Sequence, residues 1–182
     1  NEAIARGAWQ AGVRIGVGYP GTPSTETLEA FRKLPDSRAE WAPNEKVAAE
    51  VALGAAFAGA RTLLTMKHVG VNVAADPLFT LSYTGVRGGL VLVAADDPEM
   101  HSSQNEQDSR FYAKFANVPC LEPSSQQEAY DMIFDAFDIS EKFKLPVLLR
   151  LTTRLAHSRA SVVLKEQLPA KNLKLPADPV QF

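Results

Sequence analysis

Glu45 is the residue in this sequence whose chemistry depends most on where it sits. It follows Pro43 and Asn44 and opens the run KVAAEVALGAAFAGA, so it stands at a strand-to-helix junction. Asn44 is a good N-cap and an acid in the first turn is favoured by the helix dipole, so one reading is an ordinary surface acid. The Ala- and Val-rich run predicts instead a helix buried on most sides, with Glu45 facing the interior. A buried carboxylate needs a partner.

Three further segments carry polar groups at predicted strand ends. In Tyr19-Pro20-Gly21-Thr22-Pro23-Ser24-Thr25 two prolines fix the backbone, Gly21 permits close approach by another group, and Ser24 can cap the next helix. This segment reads equally as a rigid cap or a ligand loop. In Met66-Lys67-His68-Val69-Gly70-Val71-Asn72, Gly70 suits a turn with positive φ and Asn72 suits a cap. His68 at a strand end is open to both a local hydrogen-bonding role and a chemical one. The stretch DDPEMHSSQNEQDSR, Asp96 to Arg110, is too polar for core and too long for an ordinary connection. Such loops tend to be functional.

Other chemistries lack their residues. His68, His101 and His157 are far apart with no paired Cys and no HxxxH spacing, so a zinc site is not expected and no role is assigned to His157. There is no GxGxxG and no GxxxxGK[ST] phosphate loop. The single Cys120 excludes an internal disulfide and a resident iron-sulfur cluster, and its place before an apolar residue predicts a buried strand thiol without a role.

The elements that must position these loops alternate. Helices are predicted over 2–11, 24–34, 45–58, 73–83 and 126–143, and strands over 14–19, 39–41, 62–66, 90–95, 120–121 and 147–151. The runs LVLVAA and PVLLRL are apolar at consecutive positions, as strands buried on both faces require. The fold expected is α/β, a doubly wound, mostly parallel sheet with helices on both faces. In such sheets ligands bind at the carboxyl ends of the strands, where all four loops lie.

The chain of 182 residues, 46% hydrophobic and 22% charged, is long enough for one domain with a sizeable core. A formal net charge of −2 supplies no basic field for nucleic acid, and no apolar run reaches the roughly 18 residues needed to span a bilayer. A reducing cytoplasm suits the lone cysteine. The first residue is not Met and the last stretch is Pro- and Lys-rich, so both ends read as cuts or linkers, with one domain over 1–160 and a linker or the start of a further segment over 161–182.

Taken together, YPGTPST, APNEKVA, TMKHVGVNVAADP and ADDPEMHSSQNEQDSR resemble the motif series of the pyrimidine-binding domain in the thiamine diphosphate-dependent pyruvate:ferredoxin oxidoreductase superfamily. The last two motifs, and Gly21 in the first, resemble its indolepyruvate branch. The resemblance covers nearly all of 1–160 and implies a thiamine diphosphate-binding fold of the pyrimidine type. It implies that Glu45 bonds the aminopyrimidine ring nitrogen and is the catalytic residue, with Tyr19, Pro20, Gly21, Thr22, His68, Gly70 and Asn72 around the cofactor. Thr22, His68 and the run His101, Ser102, Ser103 and Gln104 would face the substrate. Arg110 cannot be matched to the family's substrate-binding arginine.

The implied reaction is oxidative decarboxylation of a 2-oxoacid, an arylpyruvate such as indolepyruvate, with coenzyme A and ferredoxin as acceptors. Neither a GDG-type motif nor CxxC repeats occur here, so magnesium, the diphosphate contacts and 4Fe-4S clusters are expected from a diphosphate-binding domain, a beta subunit or other partners in an oligomer. The chain alone is expected to be inactive. A sister thiamine diphosphate decarboxylase, or a non-catalytic scaffold half completing a partner's site, are the alternatives.

Overall fold

A computed structural model describes residues 1–170. The order is α1 (Glu2–Gln10), β1 (Ile15–Gly18), α2 (Thr25–Arg32), β2 (Arg38–Trp41), α3 (Glu45–Phe57), β3 (Thr62–Lys67), α4 (His68–Val73), α5 (Ala75–Thr84), β4 (Leu90–Asp96), α6 (Arg110–Ala116), β5 (Cys120–Leu121), α7 (Gln126–Phe143), β6 (Val147–Thr152) and α8 (Thr153–His157), with a short 3₁₀ turn at Pro98–Met100. The six strands form one sheet in the order β2-β1-β3-β4-β6-β5. All five pairings are parallel. Every strand therefore ends at the same edge.

Two apolar layers sandwich the sheet, and the strands feed both because successive side chains point to opposite faces. On one face Leu63, Val91, Val93, Val147 and Leu149 pack with Ile4 and Trp9 of α1, Leu28 and Phe31 of α2, and Tyr130, Ile133 and Phe137 of α7. On the other, Leu64, Met66, Leu92, Ala94 and Leu148 meet Ala48, Ala49, Ala52 and Ala56 of α3, with Val71, Leu78 and Leu81 from α4 and α5. Large residues line the first layer and alanines much of the second. The alanines let α3 lie close to β1 and β3.

The architecture agrees with the expected doubly wound sheet, and three local readings change. The helix expected at 73–83 is α5, and a further short helix, α4, precedes it from His68, so Gly70 and Asn72 lie inside a helix, neither as a turn nor as a cap. Gly70 has no positive φ; its smallness answers to packing, described below. The helix α3 is not buried on most sides, since Glu50, Val51 and Gly54 are exposed and only its sheet-facing stripe is covered. Cys120, expected inside, is exposed, because β5 is a two-residue strand at the sheet edge.

Over residues 158–170 the chain has no regular structure but is held to the domain. Val163 N–H donates to Gln127 Oε1 at 2.8 Å, Lys165 N–H to the Tyr130 hydroxyl at 2.7 Å, and Leu168 N–H to the Gln10 carbonyl at 2.7 Å. The remainder of the segment expected as a linker, 171–182, lies outside the described residues. No helix among the described residues is long and apolar enough to cross a membrane.

Candidate active site

Gly18, Trp41, Lys67, Asp96 and Thr152 all end strands at one edge, so parallel pairing brings their following loops together. Glu45 enters from the start of α3. The Asn44 side chain caps that helix by accepting from Val47 N–H at 2.9 Å, which fixes the first turn. Glu45 is 8% exposed and forms no hydrogen bond or ion pair among the described residues. Behind it lies Gly70: a Cβ there would sit 2.6 Å from Glu45 Cγ and 2.7 Å from Oε1. The absent side chain is the space the carboxylate occupies.

The first loop folds on itself differently from the sequence reading. Ser24 makes no side-chain cap; its hydroxyl donates to the Gly21 carbonyl at 2.7 Å, and Gly21 N–H donates to Thr25 Oγ1 at 2.8 Å. Tyr19, Pro20 and Thr22 are exposed around that knot. Gly21 does permit a close approach, by Lys67, whose Cδ lies 2.9 Å from where a Cβ would be.

The long loop from Asp97 to Ser109 is formed, and two adjacent carboxylates hold it. Asp97 Oδ2 accepts from Ser102 N–H at 2.8 Å and from the Ser103 hydroxyl at 2.6 Å, while Oδ1 accepts from the Thr153 hydroxyl at 2.8 Å. Burial pushes the Asp97 carboxyl up, and the bonds from Ser103, Ser102 and Thr153 together outweigh it and hold the group well below the usual carboxylate range. Asp96 accepts from Ser109 N–H at 3.0 Å and from the Arg150 guanidinium at 2.6 Å. Arg150 also pairs with Glu122.

His68 locks the middle of the same loop. Its Nδ1 accepts from Asp97 N–H at 3.3 Å, so the ring proton is assigned to Nε2, which donates to the Asn105 carbonyl at 3.0 Å. His68 is fully buried, with both nitrogens engaged and no exposed edge to offer a ligand. Its geometry is that of a clamp. Asn72 is exposed and accepts from the Tyr112 hydroxyl through Oδ1.

His101 and Gln104 are exposed on the outer part of the loop, His101 lying 3.6 Å from Glu99. Ser102 is also exposed, but its polar groups join the neighbouring segments: its hydroxyl reaches the Thr22 carbonyl at 3.4 Å and its carbonyl accepts from Lys67 Nζ at 3.0 Å. Ser102 and Ser103 thus use polar groups to build the loop. Arg110 is exposed and engaged with Asp108 and Glu122.

In the sequence Lys67 is only a polar group at a strand end, and Asp96 and Asp97 only the start of a loop. Tandem acids directly after a buried strand were the available signal for Asp97. Nothing local marks Lys67, whose burial of 9% exposure follows from its neighbours Gly21 and Ser102. A cleft of about 600 Å³ lined by Asn1, Glu26, Gln126, Leu155 and His157 lies elsewhere and contains none of the candidate site residues. Among the described residues no three His, Cys, Asp or Glu side chains are grouped to hold a metal.

The family model "Pyruvate flavodoxin/ferredoxin oxidoreductase, thiamine diP-bdg" matches residues 6–180. The chain belongs to this thiamine diphosphate-binding family. The indolepyruvate oxidoreductase subunit IorA of Archaeoglobus fulgidus is 56% identical over 178 residues, 94% of this chain and 28% of that subunit. The corresponding subunit of Pyrococcus abyssi is 56% identical over 169 residues, 91% of this chain and 26% of its own length. The 2-oxoglutarate synthase subunit KorA of Methanocaldococcus jannaschii is 30% identical, covering 98% of this chain and 51% of that protein. The chain therefore spans about a quarter of the length of its IorA relatives. A solved 2-oxoglutarate:ferredoxin oxidoreductase from Magnetococcus marinus, at 21% identity, superposes with a TM-score of 0.75 over 85% of this chain and 29% of that one, a likeness of fold.

Residues of this thiamine diphosphate-binding domain fit the pyrimidine half of such a cofactor on one observation: the Glu45 side chain is largely buried, makes no hydrogen bond or ion pair among the described residues, and occupies space that Gly70 keeps open. Among the described residues the buried carboxylates Asp96 and Asp97 are already saturated by Arg150, Ser109, Ser102, Ser103 and Thr153.

Proposed function

We propose that residues 1–160 form the pyrimidine-binding domain of a 2-oxoacid:ferredoxin oxidoreductase that oxidatively decarboxylates arylpyruvates, indolepyruvate in particular, to acyl-coenzyme A. The unpartnered, buried Glu45 at the carboxyl edge of the sheet carries the reading. The chain's 56% identity with the IorA relatives supports the choice of substrate. Thiamine diphosphate, when bound, supplies the carbanion chemistry at its thiazolium carbon. Glu45 would hold the pyrimidine ring nitrogen through its carboxyl and keep the shared proton at a carboxyl oxygen. Gly70 keeps that carboxyl in place, and the Tyr19–Thr22 loop supplies the wall beside it.

His68, Asp96 and Asp97 act as positioning residues that hold the loop bearing His101 to Gln104 over the edge, and Thr22 offers a hydroxyl donor to the substrate from the facing loop. Magnesium, the diphosphate contacts and 4Fe-4S clusters are assigned to segments or subunits beyond this chain, as are the docking sites of coenzyme A and ferredoxin, in an oligomer containing a beta subunit.

Glu45→Gln in the complete enzyme tests the reading. The amide keeps the shape of the side chain and cannot share the proton, so turnover at saturating cofactor falls at least about a hundredfold, the scale of a positioned proton-transfer group. Near-normal turnover would return Glu45 to an ordinary first-turn acid.

A further inference from the structure

The described residues contain three buried cationic side chains, Arg61, Lys67 and Arg150. Arg61 pairs with Asp138 at 2.7 Å and Glu141 at 2.8 Å, at the opposite end of the sheet from the candidate site. Arg150 pairs with Asp96 and Glu122. Lys67 has no carboxylate: its Nζ donates to the Ser102 carbonyl at 3.0 Å and makes no ion pair among the described residues. An ammonium carries three donors, so two remain. Burying a charge without a counter-ion is unfavourable, and a fold retains such a group where something else supplies the opposite charge.

The position of Lys67 says what that is. Its stem lies under Gly21, and the Ser102 residue that accepts its proton also touches Thr22, so the ammonium lies where the Tyr19–Thr22 loop meets the loop from Asp97 to Ser109. Three residues on, Gly70 backs Glu45. Among the described residues, Glu45, which has no donor, and the Lys67 ammonium, which has no anion, thus belong to one strand edge, and they do not pair with each other. Their separate incompleteness fits a ligand that presents a basic ring nitrogen to one and an anion to the other.

We propose that Lys67 is the binding residue for the carboxylate of the 2-oxoacid substrate. The inference rests on the 2-oxoacid reading of this site, and it gives the lysine a task that Arg110, tied to Asp108 and Glu122, does not perform. One N–H stays on Ser102, in a loop that Asp96, Asp97 and His68 already hold, while the remaining donors take the carboxylate oxygens.

The experiment measures binding by calorimetry in the complete enzyme reconstituted with thiamine diphosphate, using unreactive indole-3-propionate and its uncharged amide as probes. The wild type binds the carboxylate at least about tenfold more tightly than the amide, within the range of a charge-assisted hydrogen bond. Lys67→Met abolishes that preference while leaving amide binding and cofactor affinity within about twofold. Lys67→Gln, which keeps a donor and drops the charge, gives the same loss, and Lys67→Arg restores most of the preference.

A preference that survives in both neutral variants would overturn the assignment, as would equal weakening of both probes, the mark of a loop tether alone. Loss of thiamine diphosphate affinity with the preference intact would overturn it in favour of the cofactor's diphosphate. A wild type that shows the carboxylate preference but oxidises no 2-oxoacid would overturn the function reading and leave the anion site standing.

Discussion

Replacing Gly70 by Ala separates the role of the carboxylate's position from that of its charge. Gly70 lies within α4 without a positive φ, so an alanine is free to adopt its backbone, and helix propensity alone would stabilise the variant by about 1 kcal/mol. The new methyl would sit 2.6 Å from Glu45 Cγ, 2.7 Å from Oε1 and 3.0 Å from Cδ, where ordinary contact begins at 3.4 Å. The side chain must therefore retreat by roughly 0.8 Å, and a displacement of about 1 Å in a positioned group costs on the order of a hundredfold in rate.

Overpacking of this kind destabilises by about 1–3 kcal/mol, so it nearly cancels or modestly exceeds the propensity gain. The expected outcome is a folded protein whose midpoint moves by only a few degrees and whose turnover falls by ten- to a hundredfold, on the order set by such misplacement. Thermal denaturation and steady-state rates at saturating cofactor, measured on the same preparation, read both quantities. Normal turnover with an unchanged midpoint would refute the argument, because it would mean that the carboxylate has room to spare.

Asp97→Asn removes a charged acceptor that serves Ser102, Ser103 and Thr153, which destabilises the domain by about 2–3 kcal/mol and opens the 98–109 loop to proteolysis; an uncleaved loop would place the latch elsewhere. Because the folded Asp97 carboxyl lies below its ordinary value of 3.8, its stabilisation is fully present above that value and is lost only as pH falls below it. The contribution of Asp97, read as the stability difference between wild type and Asp97→Asn, therefore stays constant from pH 7 to pH 5; a steady decline across that interval would contradict the assignment. His101 and Gln104 project from the outer loop, so replacing both with Ala in the complete enzyme alters the ratio of specificity constants for indolepyruvate and pyruvate. An unchanged ratio would leave the loop to architecture.

The sequence by itself determined the layers. Consecutive apolar residues in LVLVAA and PVLLRL can be buried only between two covering layers, and alternation of strand and helix signals leaves a parallel sheet as the economical arrangement. Asn44 before Glu45 marked the start of α3 because capping is a contact between residues three apart, within reach of a local reading. The expected bounds of α7, Gln126 and Phe143, also agree with the structure, in which Ser125 caps one end and Lys144 turns left-handed at the other.

Local pattern misread whatever depended on residues distant in the chain. Gly70 looked like a turn glycine, yet its reason for being small is the Glu45 carboxylate, supplied by another helix. His68 looked available for chemistry, and only the folded loop shows both its nitrogens taken, by Asp97 and Asn105. Cys120 looked interior because strand pattern does not reveal which strand ends the sheet. Lys67 is the clearest case: its type and neighbours in sequence are those of any polar strand end, and its significance is that folding buries it between two loops with no anion to meet it among the described residues. Periodicity and capping are set by neighbours within about one turn, so they are legible in one dimension. Whether a charge is paired is decided by what the tertiary fold brings alongside it.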